Sequence, residues 1–327
     1  MANITVLGAG GWGLGLALAA HRNANQVTVW SCFEQEIEEL KREREHVKLL
    51  PGVPIPSDIE FTTDLTLAAK ADGIVFAVPS PYIRSTAQQI KPYVAKASVL
   101  IDASKGIEKG TGYRMSQIIE EVIPGCPVVA FSGPTHAEEV ARGLPTSIVS
   151  ASPDLEAARW VQDVFMQPSL RVYVNPDIIG VELGGALKNV IALASGISDG
   201  LNMGDNCKAA LMTRGIAEMA RLGESLGAKT ETFLGLAGIG DLIVTCGSVY
   251  SRNHRAGELI GKGIAPQTAV EMVGTVEGFF AVASAYELAQ KQGVELPITE
   301  ECYRVCYENA SPKLAVENLM GRKKRQE

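Results

Sequence analysis

The chain has 327 residues, of which 46% are hydrophobic and 20% charged, and its 30 Lys plus Arg against 37 Asp plus Glu give a formal net charge of −7. That length and composition allow a real buried core and two domains of ordinary size, and they exclude disorder as the default. The acidic balance offers no general attraction to nucleic acid or to an anionic membrane, so any anion site has to be local.

The opening MANITVLGAGG lacks the basic start and cleavage region of a secretory signal, and no run approaches the roughly 20 apolar residues that cross a bilayer. The expectation is a cytoplasmic protein with no membrane insertion. Residues 4–7, 27–30, 73–77, 99–102, 128–131 and 146–150 are short β-branched runs that read as strands. Helical patterns fall between them near 13–21, 34–42, 81–91, 111–121, 136–141 and 153–164. This rhythm predicts an α/β amino-terminal domain, a mostly parallel sheet covered by helices on both faces.

Directly after the first strand, Gly8, Gly10 and Gly13 form GxGxxG at the start of a helix. Gly8 permits a tight turn, Gly10 removes a side chain where a pyrophosphate approaches, and Gly13 lets helix and sheet pack closely. A helix and the strand QVTVW follow, which favours a Rossmann-like dinucleotide site over a merely tight turn. An acid at the end of that second strand would pair with the ribose of NAD, and a basic residue would accept the extra phosphate of NADP. Here stand Ser31, Cys32, Phe33 and Glu34, so NAD(H) and NADP(H) both stay open.

SPYIRS at 80–85 and DASKGIE at 102–108 follow strands, on the edge where such sheets present ligands. Lys105 there suits an anionic substrate or the nicotinamide region, or is a solvated loop lysine. In FSGPTHAEE, Thr135 and Glu138 have capping-box spacing, with free amides expected around 133–137 and His136 in a loop or the cofactor pocket.

From about residue 176 the texture becomes wholly helical, so the predicted domains are 1–178, dinucleotide-binding, and 179–327, an all-α substrate-binding and catalytic domain. Apolar residues recur at 3 or 4 through Leu183, Leu187, Val190 and Ala194, while Lys188, Ala192, Ser195 and Asp199 share another face. A lysine among small residues leaves room for a ligand; the alternative is a lysine that snorkels from a buried helix. Helices are expected to continue over 208–226, 268–292 and 297–308, with glycine-rich breaks near 235–240 and 257–263. The stretch LAGIGDLIVTCGSVYSRNHRAG supplies Asp241, Thr245, Ser251, Arg252 and Asn253. An arginine fork with an adjacent asparagine suits a phosphate, though a surface turn could hold the same groups. Glu277 either binds ribose or cofactor amide, or faces water.

Cys32, Cys126, Cys207, Cys246, Cys302 and Cys306 are scattered, and only the last two lie close, at helical spacing. Buried thiols in a reducing compartment are expected, and no metal. The basic tail RKKRQE reads as a solvated terminus.

Taken together, GAGGWG at 8–13, SKG at 104–106, SGPTHAEE at 132–139, GALKNVIALASG at 185–196, GDNCKAALMTRGIAEM at 204–219, GLAGIGDL at 235–242, SRN at 251–253 and VEG at 276–278 carry a resemblance. The chain resembles the bacterial NAD(P)-dependent glycerol-3-phosphate dehydrogenase family over nearly its whole length. The resemblance implies hydride transfer between dihydroxyacetone phosphate and sn-glycerol 3-phosphate, which supplies phospholipid synthesis and needs no metal. It implies Lys188 as the catalytic lysine, accompanied by Asp241, and Lys105 beside substrate and nicotinamide. Gly133, Thr135, Asn189, Thr245, Ser251, Arg252 and Asn253 fall at substrate positions, and Gly11, Trp12, Cys32, Phe33, Ala137, Arg252 and Glu277 join the three motif glycines and Lys105 at cofactor positions. Cys207 departs from the Thr of that pattern, which concerns packing. The oligomeric state stays open, a homodimer among the arrangements. Two rival readings are a dehydrogenase of the same build acting on another hydroxy acid, and a nucleotide-sensing protein without turnover.

Overall fold

The computed structural model describes residues 1–324; the last three residues of the basic tail lie outside the described residues. Two compact units form, one from Met1–Lys105 and Arg114–Val181, the other from Gly106–Tyr113 and Glu182 onward.

The first unit is built on one sheet of eight strands, β1 (Asn3–Leu7), β2 (Gln26–Trp30), β3 (Glu60–Thr62), β4 (Gly73–Phe76), β5 (Val99–Asp102), β6 (Val128–Ser132), β7 (Thr146–Ala151) and β8 (Leu170–Asn175). Their order is β3-β2-β1-β4-β5-β6-β7-β8, parallel throughout except for the antiparallel pair β6 and β7. The central strands are near-continuous apolar runs because both faces are covered. Alternation then divides each strand between two cores. Val6, Val75, Ile101 and Val129 face one side with Leu14, Leu16 and Leu18 of α1 (Gly11–Arg22), Ile37 of α2 (Glu34–Glu43), and Val161 and Phe165 of α6 (Leu155–Phe165). Leu7, Ile74, Phe76 and Leu100 face the other with Ile83 and Ile90 of α3 (Ile83–Ile90) and Ile118 and Ile119 of α4 (Met115–Val122).

The α/β class and the mostly parallel sheet are as expected, and the differences in detail have physical reasons. β3 and β8 were not predicted. β3 is three residues long, and β8 is an edge strand in which exposed Arg171 and Tyr173 alternate with buried Leu170 and Val172. The helix expected from 111 begins only at Met115, because Gly110 and Gly112 take positive φ (85° and 74°) in a loop. The proposed Thr135 and Glu138 capping box does not form. The cap of α5 (Ala137–Arg142) is His136, without a side-chain cap bond, and the Thr135 hydroxyl donates instead to Gly133 O.

The rest of the fold is helical, as expected: α7 (Ile178–Gly200), α8 (Gly204–Ser225), α9 (Thr230–Phe233), a π turn at Leu236–Gly240, α10 (Asp241–Gly247), α11 (Arg252–Gly261), α12 (Pro266–Val273), α13 (Glu277–Gln292), α14 (Pro297–Tyr307) and α15 (Pro312–Met320). The helix expected over 268–292 is two helices, parted where Gly274 takes a φ of 96°. The break expected near 257–263 falls instead at its end, and α11 runs through Gly257 and Gly261. Those glycines serve packing. A Cβ on Gly257 would lie 2.1 Å from Leu193 O of α7, and one on Gly196 of α7 would lie 2.0 Å from His254 O, so the two helices meet backbone to backbone. Helix α7 does reach the length and apolarity of a membrane span, contrary to the sequence reading, with its polar residues dispersed along it. Its most apolar 18-residue window is 94% buried within the protein, as in a core helix.

Candidate active site

In the first unit the chain leaves β1 for α1 and β2 on one side, and β4 leads on to β5 on the other. Ligands of open α/β sheets gather at the carboxyl ends of strands where the order reverses in this way. Gly8 lies there with a φ of 118°, and a Cβ on it would come 2.8 Å from Ala77 O at the end of β4. Gly13 is fixed equally firmly, since its Cβ would lie 2.0 Å from Gly8 O. Gly10 differs. A Cβ there would meet nothing within 4 Å, so no protein atom demands the glycine. It faces open space beside the first-turn amides of α1, which have no acceptor within their own helix and favour an anion. This cradle fits a dinucleotide's pyrophosphate.

Around that turn, a Cβ on Gly11 would make an ordinary 3.7 Å contact with Ala137 Cβ, and the Trp12 indole donates to Ala103 O at 2.9 Å. Cys32 and Phe33 are exposed before α2, and the Ser31 hydroxyl is engaged by Glu36 and by the Phe33 amide. Hydrogen bonding from His46 holds Glu36 below the usual carboxylate range despite its burial. Two candidate residues converge on the carbonyl of a third: Lys105 Nζ and Thr135 Oγ1 each donate to Gly133 O at 3.1 Å. A Cβ on Gly133 would sit tightly, 3.1 Å from Ile148 Cα and Ser147 O.

In the second unit, Lys188 is 6% exposed and its ammonium donates to Asp241 Oδ1 and, at 2.6 Å, to Thr245 Oγ1. The Thr245 hydroxyl in turn donates to Asp241 O, one turn back along α10. Asp241 is 1% exposed, so the pair is a buried countercharge arrangement, and losing either member removes the main countercharge of the other. This decides the snorkelling alternative against itself: the head group is held inside. Asn189 and Asn253 are also brought together. Asn253 Nδ2 donates to Asn189 Oδ1 at 2.8 Å while its Oδ1 accepts the Gly278 amide at 2.8 Å, tying α7, α11 and the residue after Glu277. Ser251 caps α11 by accepting from the His254 amide, and Arg252, the first residue of the helix, is exposed.

Sequence reasoning passed over Lys208 and His254, which both bond Asp199, the last member of the polar face that begins at Lys188. The periodicity of that face was the signal that could have found them. Cys246 lies in the same region. Burial pushes its thiol up to about 12, against opposing effects of Ser195 and of the charges on Lys188 and Lys208, so it is a packing thiol. Among the described residues no group of three or more metal-ligating side chains occurs.

A doubly wound sheet with a glycine turn at its reversal point defines a dinucleotide-binding protein. Two family models together cover most of the chain, described as NAD-dependent glycerol-3-phosphate dehydrogenase N-terminus over residues 3–158 and C-terminus over 177–317. A relative from Geobacillus thermodenitrificans, named glycerol-3-phosphate dehydrogenase [NAD(P)+], is 51% identical over all of this chain and 97% of its own length. The solved glycerol-3-phosphate dehydrogenase of Coxiella burnetii superposes with a TM-score of 0.94 at 36% identity, covering 98% of this chain and 99% of that one. That of Plasmodium falciparum gives 0.90 at 26% identity, covering 99% and 97%. The chain belongs to the NAD-dependent glycerol-3-phosphate dehydrogenase family.

Proposed function

We infer that the chain interconverts sn-glycerol 3-phosphate and dihydroxyacetone phosphate with NAD(H) or NADP(H), the reaction named for its relatives. The observation that carries the assignment of roles is the buried ammonium of Lys188, oriented by Asp241 and Thr245. Residues 1–178 bind the dinucleotide, through the open face of Gly10 and the first turn of α1, with Cys32, Phe33 and Ala137 at its periphery; the family resemblance adds Glu277 to the cofactor contacts. Residues 179–327 hold the substrate. When bound, the reduced nicotinamide supplies a hydride to carbon 2 of the ketone. Lys188 stabilises the negative charge that develops on the carbonyl oxygen and donates the proton from Nζ; in the oxidative direction its neutral amine accepts that proton from the hydroxyl. Asp241 and Thr245 keep Nζ in place, so little reorganisation is needed as the charge moves. Arg252, exposed at the first turn of α11, grips the phosphate, and that remote contact orients the reacting carbonyl. Asn253 serves this grip chiefly from behind, since both ends of its amide are engaged within the protein. The family resemblance assigns Lys105, Gly133 and Thr135 to substrate as well. The six free thiols support a reducing compartment such as the cytoplasm.

The test is a steady-state assay of NADH and NADPH with dihydroxyacetone phosphate and with unphosphorylated dihydroxyacetone. Parent enzyme strongly prefers the phosphorylated ketone, and Arg252→Ala compresses that preference by about tenfold or more at saturating cofactor. Oxidation of neither cofactor by dihydroxyacetone phosphate would refute the reading.

A further inference from the structure

Arg252 has no ion-pair partner among the described residues, and its guanidinium is exposed. No hydrogen bond or ion pair of the side chain among the described residues sets where it points, so its aim depends on how the first turn of α11 is seated. That turn is held on two sides. On one, Asn253 reaches Asn189 and Gly278. On the other, His254 Nε2 lies 2.7 Å from Asp199 Oδ2, and the same oxygen accepts Lys208 Nζ at 2.6 Å. A carboxylate only accepts, so His254 carries its proton on Nε2. Desolvation opposes the charge on Asp199, but the bonds from Lys208 and His254 prevail and hold it below the usual carboxylate range.

We propose that His254 is a positioning residue for substrate phosphate: its bond to the Lys208-braced Asp199 clips the first turn of α11 to the end of α7 and so aims Arg252. The proposal rests on the reading of Arg252 as the phosphate ligand. Lys188, Ser195 and Asp199 then form a continuous polar face of α7, in which the first member handles the proton, the second meets Cys246, and the last fixes the phosphate end. The backbone contact between Gly196 and His254 O brings the clip close enough that a small shift of α7 moves Arg252. A displacement of that kind acts on the anchored end and leaves the proton donor where it is.

The experiment compares parent, His254→Leu, His254→Gln and Asp199→Asn in the full chain at saturating NADH. Leucine removes the donor; glutamine keeps an N–H near the position of Nε2. His254→Leu should raise KM for dihydroxyacetone phosphate about tenfold with kcat within about threefold, and should narrow the preference over dihydroxyacetone without altering NADH affinity. Glutamine should recover most of the loss, and Asp199→Asn should shift KM in the same direction by about threefold. If His254→Leu does not fold, the Gln and Asn variants carry the test: parent-like KM in Asp199→Asn overturns the proposal. Equal impairment by Leu and Gln, or equal losses on the phosphorylated and unphosphorylated ketones, also overturns it. Arg252→Ala run alongside separates the two failures, because an unchanged substrate preference there removes the phosphate reading itself.

Discussion

The glycine turn after β1 and the Lys188 face of α7 are prepared for ligands in opposite ways. The turn uses backbone amides and missing side chains; its distinctive position, Gly10, is defined by the empty space a Cβ would enter. The face of α7 uses buried charge, with Lys188 gripped by Asp241 and Thr245 and Asp199 gripped by Lys208 and His254. A site of the first kind fails when an atom is added. One of the second kind fails when an atom is removed.

The largest losses are expected at the charged face. Lys188→Ala should fold and lose about 10² or more in kcat, since its proton and charge act in the transition state. A folded variant within about threefold of parent kcat would move the chemistry elsewhere. Asp241→Ala should in addition lower Tm, because it takes the carboxylate away from a buried ammonium, a loss of about 3–5 kcal/mol for a broken buried pair.

A second carboxyl in the helical half is held differently. Burial pushes Glu218 up to about 7 even though it accepts the Ile298 and Thr299 amides at the start of α14. Because its folded value lies above its ordinary 4.5, its contribution is present at low pH and lost as pH rises through about 7. Glu218→Gln should therefore gain Tm over the parent at about pH 8, by up to a few degrees, and show little gain near pH 5. The same gain at both values would mean that the carboxyl does not titrate there.

Gly196→Ala should cost about 1–3 kcal/mol, read by thermal melting, because its Cβ meets backbone rather than a movable side chain. At the smallest end, Cys32→Arg should move the kcat/KM ratio of NADPH to NADH upward several-fold, as an exposed guanidinium meets the extra phosphate. An unchanged ratio would mean that residue 32 faces away from the ribose.

Much of the first unit was legible because parallel strands buried on both faces are short apolar runs and GxGxxG falls at a strand end. β3 and β8 escaped because edge strands are short or half exposed. In the helical half the lysine was visible as a residue out of place among small and apolar ones, and Asp241 as one of the polar residues of a glycine-containing stretch, yet their contact was not, since 53 positions separate them. Glycines misled there. Gly257 and Gly261 looked like a break because local propensity penalises glycine in a helix, whereas close packing on α7 outweighs that penalty of about 1 kcal/mol. His254 was hidden for a related reason: its partner lies on another helix, and only the 188-to-199 face pointed toward it.

The central claim, that cofactor binding and proton transfer belong to two separately prepared places, is tested most directly by measuring NADH affinity and turnover of dihydroxyacetone phosphate in Gly10→Ala and Lys188→Met together. Gly10→Ala should melt like the parent and bind NADH about tenfold more weakly or worse, while Lys188→Met should bind NADH within about twofold of the parent and turn over about 10² more slowly or worse. Parent-like NADH affinity in Gly10→Ala, or loss of NADH affinity in a folded Lys188→Met, would contradict it.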